Sequence, residues 1–561
     1  MTLTVTQSTF RLFLAATVVL VCAATGRGDM AVSGKIAGAR AEAPYSYGRV
    51  EVQNRYGREM SYRLELRDHY FDQRIEYFDQ ILGAGQARVY HVPLLRTRGG
   101  GGWQVRVVDA DGRSAVTGMN DENLEFLHVS SLQERATAAE LARFANMNGT
   151  AHSYGHSGGP AECVSQLSPK ELPDNWLCYC PFHAVFVHDP AWEQLAPTER
   201  KALEQWVRAG GRLVIYGHSG PEREEARMLG TVRYMVANPI ENEATDGQWS
   251  KEGAAWETHA KGASSFDSVP FTVAQYAGGV GGLSLATLFF VIAGPLNYWY
   301  FARRNRIRAL LITLPLASVA CCLLIIGFFL VTQGFAKRGG SLALIVLDEE
   351  TDSAITFSRH VFFSGLYPLG GFRFTRDTAF CPLGTYGDRE SFALDLTEEQ
   401  QLRSGLFSPS VSFHYLTVRH WTTRAKLVWD LDDMTVLNGF DGEAERVVLR
   451  VGNKAYEANR VPAGGKAQLT ELPTPVPGDQ ALVQLALNQD APPDRFVLGQ
   501  LSGIITSRHN QTASSAERGR ATYVIVFSRP PVDLNAGLTM RGDNAFCVLF
   551  GESVLQGDTA R

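Results

Sequence analysis

The chain has 561 residues, enough for three or four domains at roughly 150 residues each. Hydrophobic residues make up 45% and charged residues 20%, the balance of a folding chain. With 53 Lys and Arg against 58 Asp and Glu, the net charge is −5; this excludes a strongly basic nucleic-acid binder, and eight Cys are too few for a disulfide-dense scaffold.

In chain order, residues 1–26 read as a secretory signal peptide. Arg11 precedes an apolar run over 12–24, about 20 Å as a helix and short of the ~30 Å bilayer core, and Ala24-Thr25-Gly26 supplies small residues for cleavage. Val21 before Cys22 is too bulky for the usual lipidation pattern. Residues 27–120 alternate polar and apolar side chains, with Asp111-Gly112 as a hairpin turn, and predict a small β-sandwich. A structural spacer suits such a module better than a carbohydrate binder.

Residues 121–265 change period. LEFLHVSS reads as a buried strand. Ser131 and Glu134 form a capping box before a helix, and Ala184-Val-Phe-Val-His188 is a second strand. Pro197 starts a helix whose Leu203, Trp206 and Val207 share one face, Gly210-Gly211 ends it, and Arg212-Leu-Val-Ile-Tyr216 is a third strand. TVRYMVA is a fourth. Strands alternating with helices predict a parallel sheet.

From residue 268 to 302 and again from 309 to 336 there is no charge, and each run exceeds the ~20 residues required to span a bilayer. Between them stand Arg303, Arg304, Arg306 and Arg308, which would together cost about 10–14 kcal/mol at mid-bilayer. The pattern predicts transmembrane helices over 276–302 and 309–334 with a cytoplasmic loop over 303–308. Tyr298, Trp299, Tyr300 and Phe301 supply an aromatic belt. With the signal peptide, this places both large soluble regions outside the cytoplasm.

Residues 338–561 read as an all-β region. SLALIVLD, SFALDL, VSFHYLTVRHW, AKLVWDL, ERVVLRVGN, ALVQLALN and TYVIVFS are strands by pattern, and TEEQQLRSG is a short helix with a capping box from Thr397 to Gln400. Cys381 and Cys547 could pair, as could Cys163 with Cys178 or Cys180.

LPDNW followed by FHAVFVHDPAWEQLAPTERKALEQWVRAGGRLVIYG resembles the class I glutamine amidotransferase-like domain of bacterial membrane proteins, and GPLNYWYFARRNR with LITLPL resembles the membrane hairpin of such proteins. The resemblance implies a flavodoxin-like domain over about 120 residues. The catalytic Gly-x-Cys-x-Gly elbow and the downstream His-x-Glu of that family are missing, so glutaminase chemistry is not expected. The expected fold is a multidomain membrane protein: an N-terminal β-sandwich, an α/β flavodoxin-like (amidotransferase-like) domain, a two-helix transmembrane hairpin and a C-terminal all-β region.

In a parallel sheet, ligands sit beyond the carboxyl ends of the strands. That edge would display Ser130 with Ser131, His188 with Asp189, and His218 with Ser219. Ser131, His188, Asp189, His218 and Ser219 are the candidate ligand-binding residues. Their types suit a Ser-His-Asp relay, but polar strand ends and helix caps account for them as well. Gly155-His-Ser-Gly-Gly159 matches G-x-S-x-G formally, without the buried strand that an elbow requires. No spacing specifies a metal or a cofactor, and no phosphate loop is present. The sequence points to a non-catalytic envelope membrane protein acting as a binding or scaffolding component. Its expected partners are the lipid bilayer and other envelope membrane proteins, with no nucleic acid. The alternatives are an accessory subunit of an envelope transport or motility complex and an exported hydrolase or amidotransferase-like enzyme.

Overall fold

The computed structural model describes residues 30–37, 45–68, 72–95, 102–122, 126–130, 164–236, 284, 287–304, 308, 310–332, 338–383, 391–409, 411–452, 454–473, 476, 478–487, 520–527, 529–534, 537–538 and 541–554. The expected signal peptide, Ser131 and the helix after it, the 155–159 motif and Cys163 lie outside the described residues.

Period-two alternation over 30–122 makes eight strands. They are β1 (Met30–Ala37), β2 (Tyr45–Asn54), β3 (Met60–Asp68), β4 (Gln73–Leu82), β5 (Ala87–Leu95), β6 (Trp103–Asp109), β7 (Ser114–Gly118) and β8 (Asn120–Glu122). One sheet has the order β5-β2-β1-β8, and β4-β3-β6-β7 form part of another. Val50, Val52, Leu64, Leu66, Val92, Val105 and Val107 lose all solvent contact in the core of this region.

The middle of the chain contributes β9 (Phe126–Val129), β10 (Val164–Leu167), β11 (Ala184–His188), α1 (Asp189–Glu193), α2 (Pro197–Arg208), β12 (Arg212–Tyr216), β13 (Arg223–Arg227) and β14 (Gly230–Met235). The sheet order is β10-β9-β11-β12-β14-β13; the first five strands run parallel and β13 is antiparallel. Pro197 opens α2 at its first turn, and Ala202, Leu203, Trp206 and Val207 are its buried residues. The expected flavodoxin-like, amidotransferase-like domain is corrected here. Among the described residues only α1 and α2 accompany this sheet, and the connection from β12 to β14 is an antiparallel edge strand, not a crossover helix. The molecule as a whole is mostly strand, at 51%.

The expected transmembrane hairpin is also corrected. Among the described residues, no helix is long and apolar enough to cross a membrane. At Gly294-Pro295 the backbone forms a five-residue π turn, Ile292–Leu296, followed by the seven-residue α3 (Asn297–Arg303). A proline inside a helix removes a backbone bond and crowds the preceding turn. The second apolar run forms α4 (Leu310–Thr332), which contains Pro315.

The C-terminal region supplies β15 (Arg338–Asp348), β16 (Ser353–Phe363), β17 (Phe372–Phe374), β18 (Ala379–Leu383), β19 (Phe392–Asp395), β20 (Gln400–Gly405), β21 (Phe413–Thr422), β22 (Leu427–Asp430), β23 (Thr435–Asn438), β24 (Ala444–Val451), β25 (Lys454–Val461), β26 (Lys466–Gln468), β27 (Thr470–Glu471), α5 (Gly478–Ala486), β28 (Arg520–Phe527) and β29 (Arg541–Val554). A nine-stranded sheet has the order β18-β21-β16-β15-β29-β28-β24-β25-β27, and β22-β23-β26 form a small one. Every residue of β16 is buried, so both of its faces are covered. β19 pairs in parallel with β4, which builds a seven-stranded sheet, β17-β20-β19-β4-β3-β6-β7, from both ends of the chain. The N-terminal sandwich is therefore completed by C-terminal strands and does not stand alone.

Two local expectations reverse. TEEQQLRSG ends in β20, not a helix, and the Gln400 amide donates to the carbonyls of Thr375, Arg376 and Thr378. ALVQLALN falls largely in α5, which buries Leu482, Val483 and Ala486. Cys381 and Cys547 are both free thiols. Their strands, β18 and β29, are separated by β21, β16 and β15. At ~4.8 Å per strand that is about 19 Å, beyond the ~7 Å Cα reach of a disulfide. Cys178 is a free thiol, and both Cys178 and Cys180 are buried.

Candidate functional site

The carboxyl edge of the parallel strands gathers histidines and tyrosines. Period two puts His128, His188 and Tyr216 on one face: His128 is level with Phe186, and His188 with Tyr216. The Tyr216 ring lies 5.1 Å from His188 and 5.8 Å from His128, and its hydroxyl is 2.5 Å from His128 Nε2. Gly217 follows with φ +74°, and a Cβ there would stand 2.9 Å from the His188 ring. Only glycine lets the chain turn so close over that imidazole.

The turn delivers His218, whose backbone N–H donates to Met235 O at 3.1 Å. Its Nδ1 comes 3.5 Å from Asp189 Oδ2, an ion-pair distance if the imidazole is protonated, with both side chains about a quarter exposed. The Tyr234 ring lies between His218, at 5.4 Å, and the Arg223 guanidinium, at 4.3 Å. Four of the five expected residues are thus described, and three of them, His188, Asp189 and His218, are neighbours. Ser131 lies outside the described residues. Ser219 is exposed, and among the described residues no hydrogen bond joins it to a histidine. A relay needs a nucleophile within about 3 Å of its base. The described edge offers an oriented imidazole, a carboxylate and stacked rings, a set that binds polar or aromatic groups. Among the described residues, no group of three or more His, Cys, Asp or Glu could hold a metal ion.

Sequence reasoning passed over Tyr216, Tyr234 and Arg223. The strand-end rule that picked His188 applies equally to Tyr216, the last residue of β12. Arg223 meets Tyr234 only through the antiparallel register of β13 on β14, which local pattern does not encode.

A second feature lies on the helices. Leu311, Ile312, Leu316, Leu323 and Leu324 of α4 are 64–80% exposed, and Leu314, Val319 and Ile326 are exposed too. At about 100° per residue these positions cover most of the helix circumference, not one stripe. On the preceding helical stretch Phe290 is 73% exposed and Trp299 59%. The Arg303 guanidinium stacks 5.4 Å from Trp299, and that of Arg304 lies 4.5 Å from Tyr300. The two helices meet through a hydrogen bond from Asn297 Nδ2 to Thr313 Oγ1, at 3.3 Å.

No protein-family model and no curated protein matches the chain. Among solved structures, a cycloisomaltooligosaccharide glucanotransferase from Paenibacillus sp. is similar at 11% identity and TM-score 0.15, over 32% of this chain and 27% of that one. The mu-homology domain of yeast delta-COP-I, complexed with a Dsl1 peptide, is similar at 8% identity and TM-score 0.17, over 39% of this chain and 98% of that one. A calcium-binding mutant of Bacteroides uniformis beta-glucuronidase 2 is similar at 9% identity and TM-score 0.16, over 34% of each chain. The chain spans about a quarter of the first of these. At such scores the likenesses carry no argument about fold or function.

Proposed function

We propose that the chain is a non-catalytic binding or scaffolding protein of the cell membrane. Its apolar helices rest against lipid, and its β-rich body offers surfaces to neighbouring proteins. The observation that carries this reading is the exposed apolar surface of α4, which covers most of the helix circumference outside its contact with α3 and lies near the arginine–aromatic stacks of α3. A protein partner buries a stripe, whereas a fluid apolar medium covers every side. Aromatic rings with arginines beside them suit the headgroup boundary. The reading concerns contact with lipid and not passage across it. The strand-end cluster, with the His218 imidazole beside the Asp189 carboxylate and the Tyr216 ring beside His188, supports binding of polar or aromatic groups.

Flotation with phosphatidylcholine vesicles tests the proposal. The full chain is expected to rise with the vesicles, and the variant L311E/L316E/L323E to stay behind with an unchanged β-sheet circular dichroism spectrum. A wild-type chain that remains monodisperse in detergent-free buffer and does not float contradicts it.

A further inference from the structure

We infer that the turn over residues 364–371 is a second lipid contact, which seats the β body on the same surface as the helices; the inference rests on the lipid reading above. The chain leaves α4 at Thr332 and enters β15 at Arg338. Arg338 is level with Phe363 of β16, and Phe362 with Phe413 of β21. The end of β16 and the start of β21 therefore lie at the end of the sheet where the helix arrives. From that end project Leu366, 50% exposed, Val411, 55% exposed, and Leu369, 99% exposed.

The crest is built, not loose. Gly371 N–H donates to Pro368 O at 2.9 Å, closing a four-residue turn, and Gly370 takes φ +84° at its third position. Glycine at the third position suits a tight turn of this kind, with Leu369 as the second residue at its apex. Gln401 Nε2 donates to Gly370 O at 2.6 Å from below, the Ser364 hydroxyl accepts from Leu366 N–H at 3.3 Å, and the Tyr367 ring packs 5.8 Å from Phe407. Ser364-Gly-Leu-Tyr-Pro-Leu-Gly-Gly371 carries no charge. Three side chains are far too few for a stable protein interface of about 800 Å² per partner. Only five residues separate Thr332 from Arg338, so the crest stands at the end of the sheet nearest the helix in the chain, and each leucine that enters lipid raises partition by about tenfold or more.

Photocrosslinking on the full chain tests this. p-Benzoylphenylalanine is placed singly at 369, at 316 on α4 and at 428, with phosphatidylcholine vesicles as the probe. Val428 is 46% exposed and follows β21, near the opposite end of the sheet, where Thr423 N–H donates to Asp352 O. The expected result is lipid adducts at 369 and 316, each at least about tenfold above 428. Adducts at 316 with position 369 no better than 428 overturn the second contact and leave the lipid reading standing. No adducts at 369 or 316 overturn both.

Discussion

His360 is fully buried on β16, and both ring nitrogens are bonded, Nδ1 to Ser341 Oγ at 2.8 Å and Nε2 to Thr417 Oγ1 at 3.0 Å. Burial pushes its pKa down to about 3. His420 is buried edge-on against Trp176 at 5.1 Å, and among the described residues neither of its nitrogens has a hydrogen-bond partner. Burial, and then the cations Arg208 and Lys201, push its pKa down to about 3 as well. Both rings are neutral in the fold and titrate near ~6.5 in the unfolded chain. As pH falls below that value, the unfolded chain takes up the protons first, so the fold loses stability between about pH 6.5 and 3. Two such groups give a slope of roughly 2.7 kcal/mol per pH unit. Urea unfolding is expected to show a lower midpoint at pH 5 than at pH 7; equal midpoints would exclude the neutral buried pair. The two histidines also separate by substitution. His360→Phe strands two hydroxyls and should cost about 1–3 kcal/mol, whereas His420→Phe removes two orphaned nitrogens and should be neutral or stabilising. Similar losses in both variants would contradict the assignment.

At the scale of elements, α2 was legible because its start, buried face and stop lie within one stretch: Pro197, then Leu203, Trp206 and Val207, then Gly210-Gly211. β11 and β12 were legible as apolar runs between turn signals. β20 was not, because Thr397 and Gln400 carry a helix-start pattern while pairing with β17 and β19 makes the strand. Tertiary pairing overrides a propensity of a few tenths of a kcal/mol per residue. α5 was misread for a related reason: a short apolar run fits either period. The parallel sheet also depends on one close approach invisible to pattern reading. A Cβ on Gly230 would fall 2.0 Å from the Val207 carbonyl oxygen and 2.3 Å from that of Gly211, both backbone atoms. Gly230→Ala should therefore cost about 1–3 kcal/mol or more in urea unfolding, while Gly57→Ala, with nothing within 4 Å, should cost little. Equal tolerance at both positions would mean that β14 does not pack on the end of α2 as described.

For the whole molecule, the sheet formed by β4 and β19 ties the two ends of the chain together, and side chains reinforce the tie. The Tyr45 hydroxyl donates to Phe380 O at 2.8 Å and accepts from Phe380 N–H at 2.7 Å, across 335 residues of sequence. Trp176 Nε1 donates to Asp377 O at 2.6 Å, and Asn175 Nδ2 to Arg376 O at 2.9 Å. Pairings between residues hundreds of positions apart leave no mark on local periodicity, so the sequence suggested separate regions. A fragment ending at residue 330 should lack the strands that complete its larger sheet and should fail to unfold cooperatively. A sharp, reversible transition for that fragment would contradict the shared sheet. The strand-end cluster was half legible: histidines and aspartate at strand ends follow a general rule, while the aromatic stacks round them depend on register. The apolar helices were the plainest feature in the sequence, and their exposure in the fold carries the lipid reading. Trp299, exposed and stacked beneath Arg303, reports on it most directly. Vesicles of brominated phosphatidylcholine should quench the tryptophan fluorescence of the full chain, and Trp299→Phe should remove most of that quenching. No quenching, or quenching unchanged in the variant, would contradict contact between these helices and lipid.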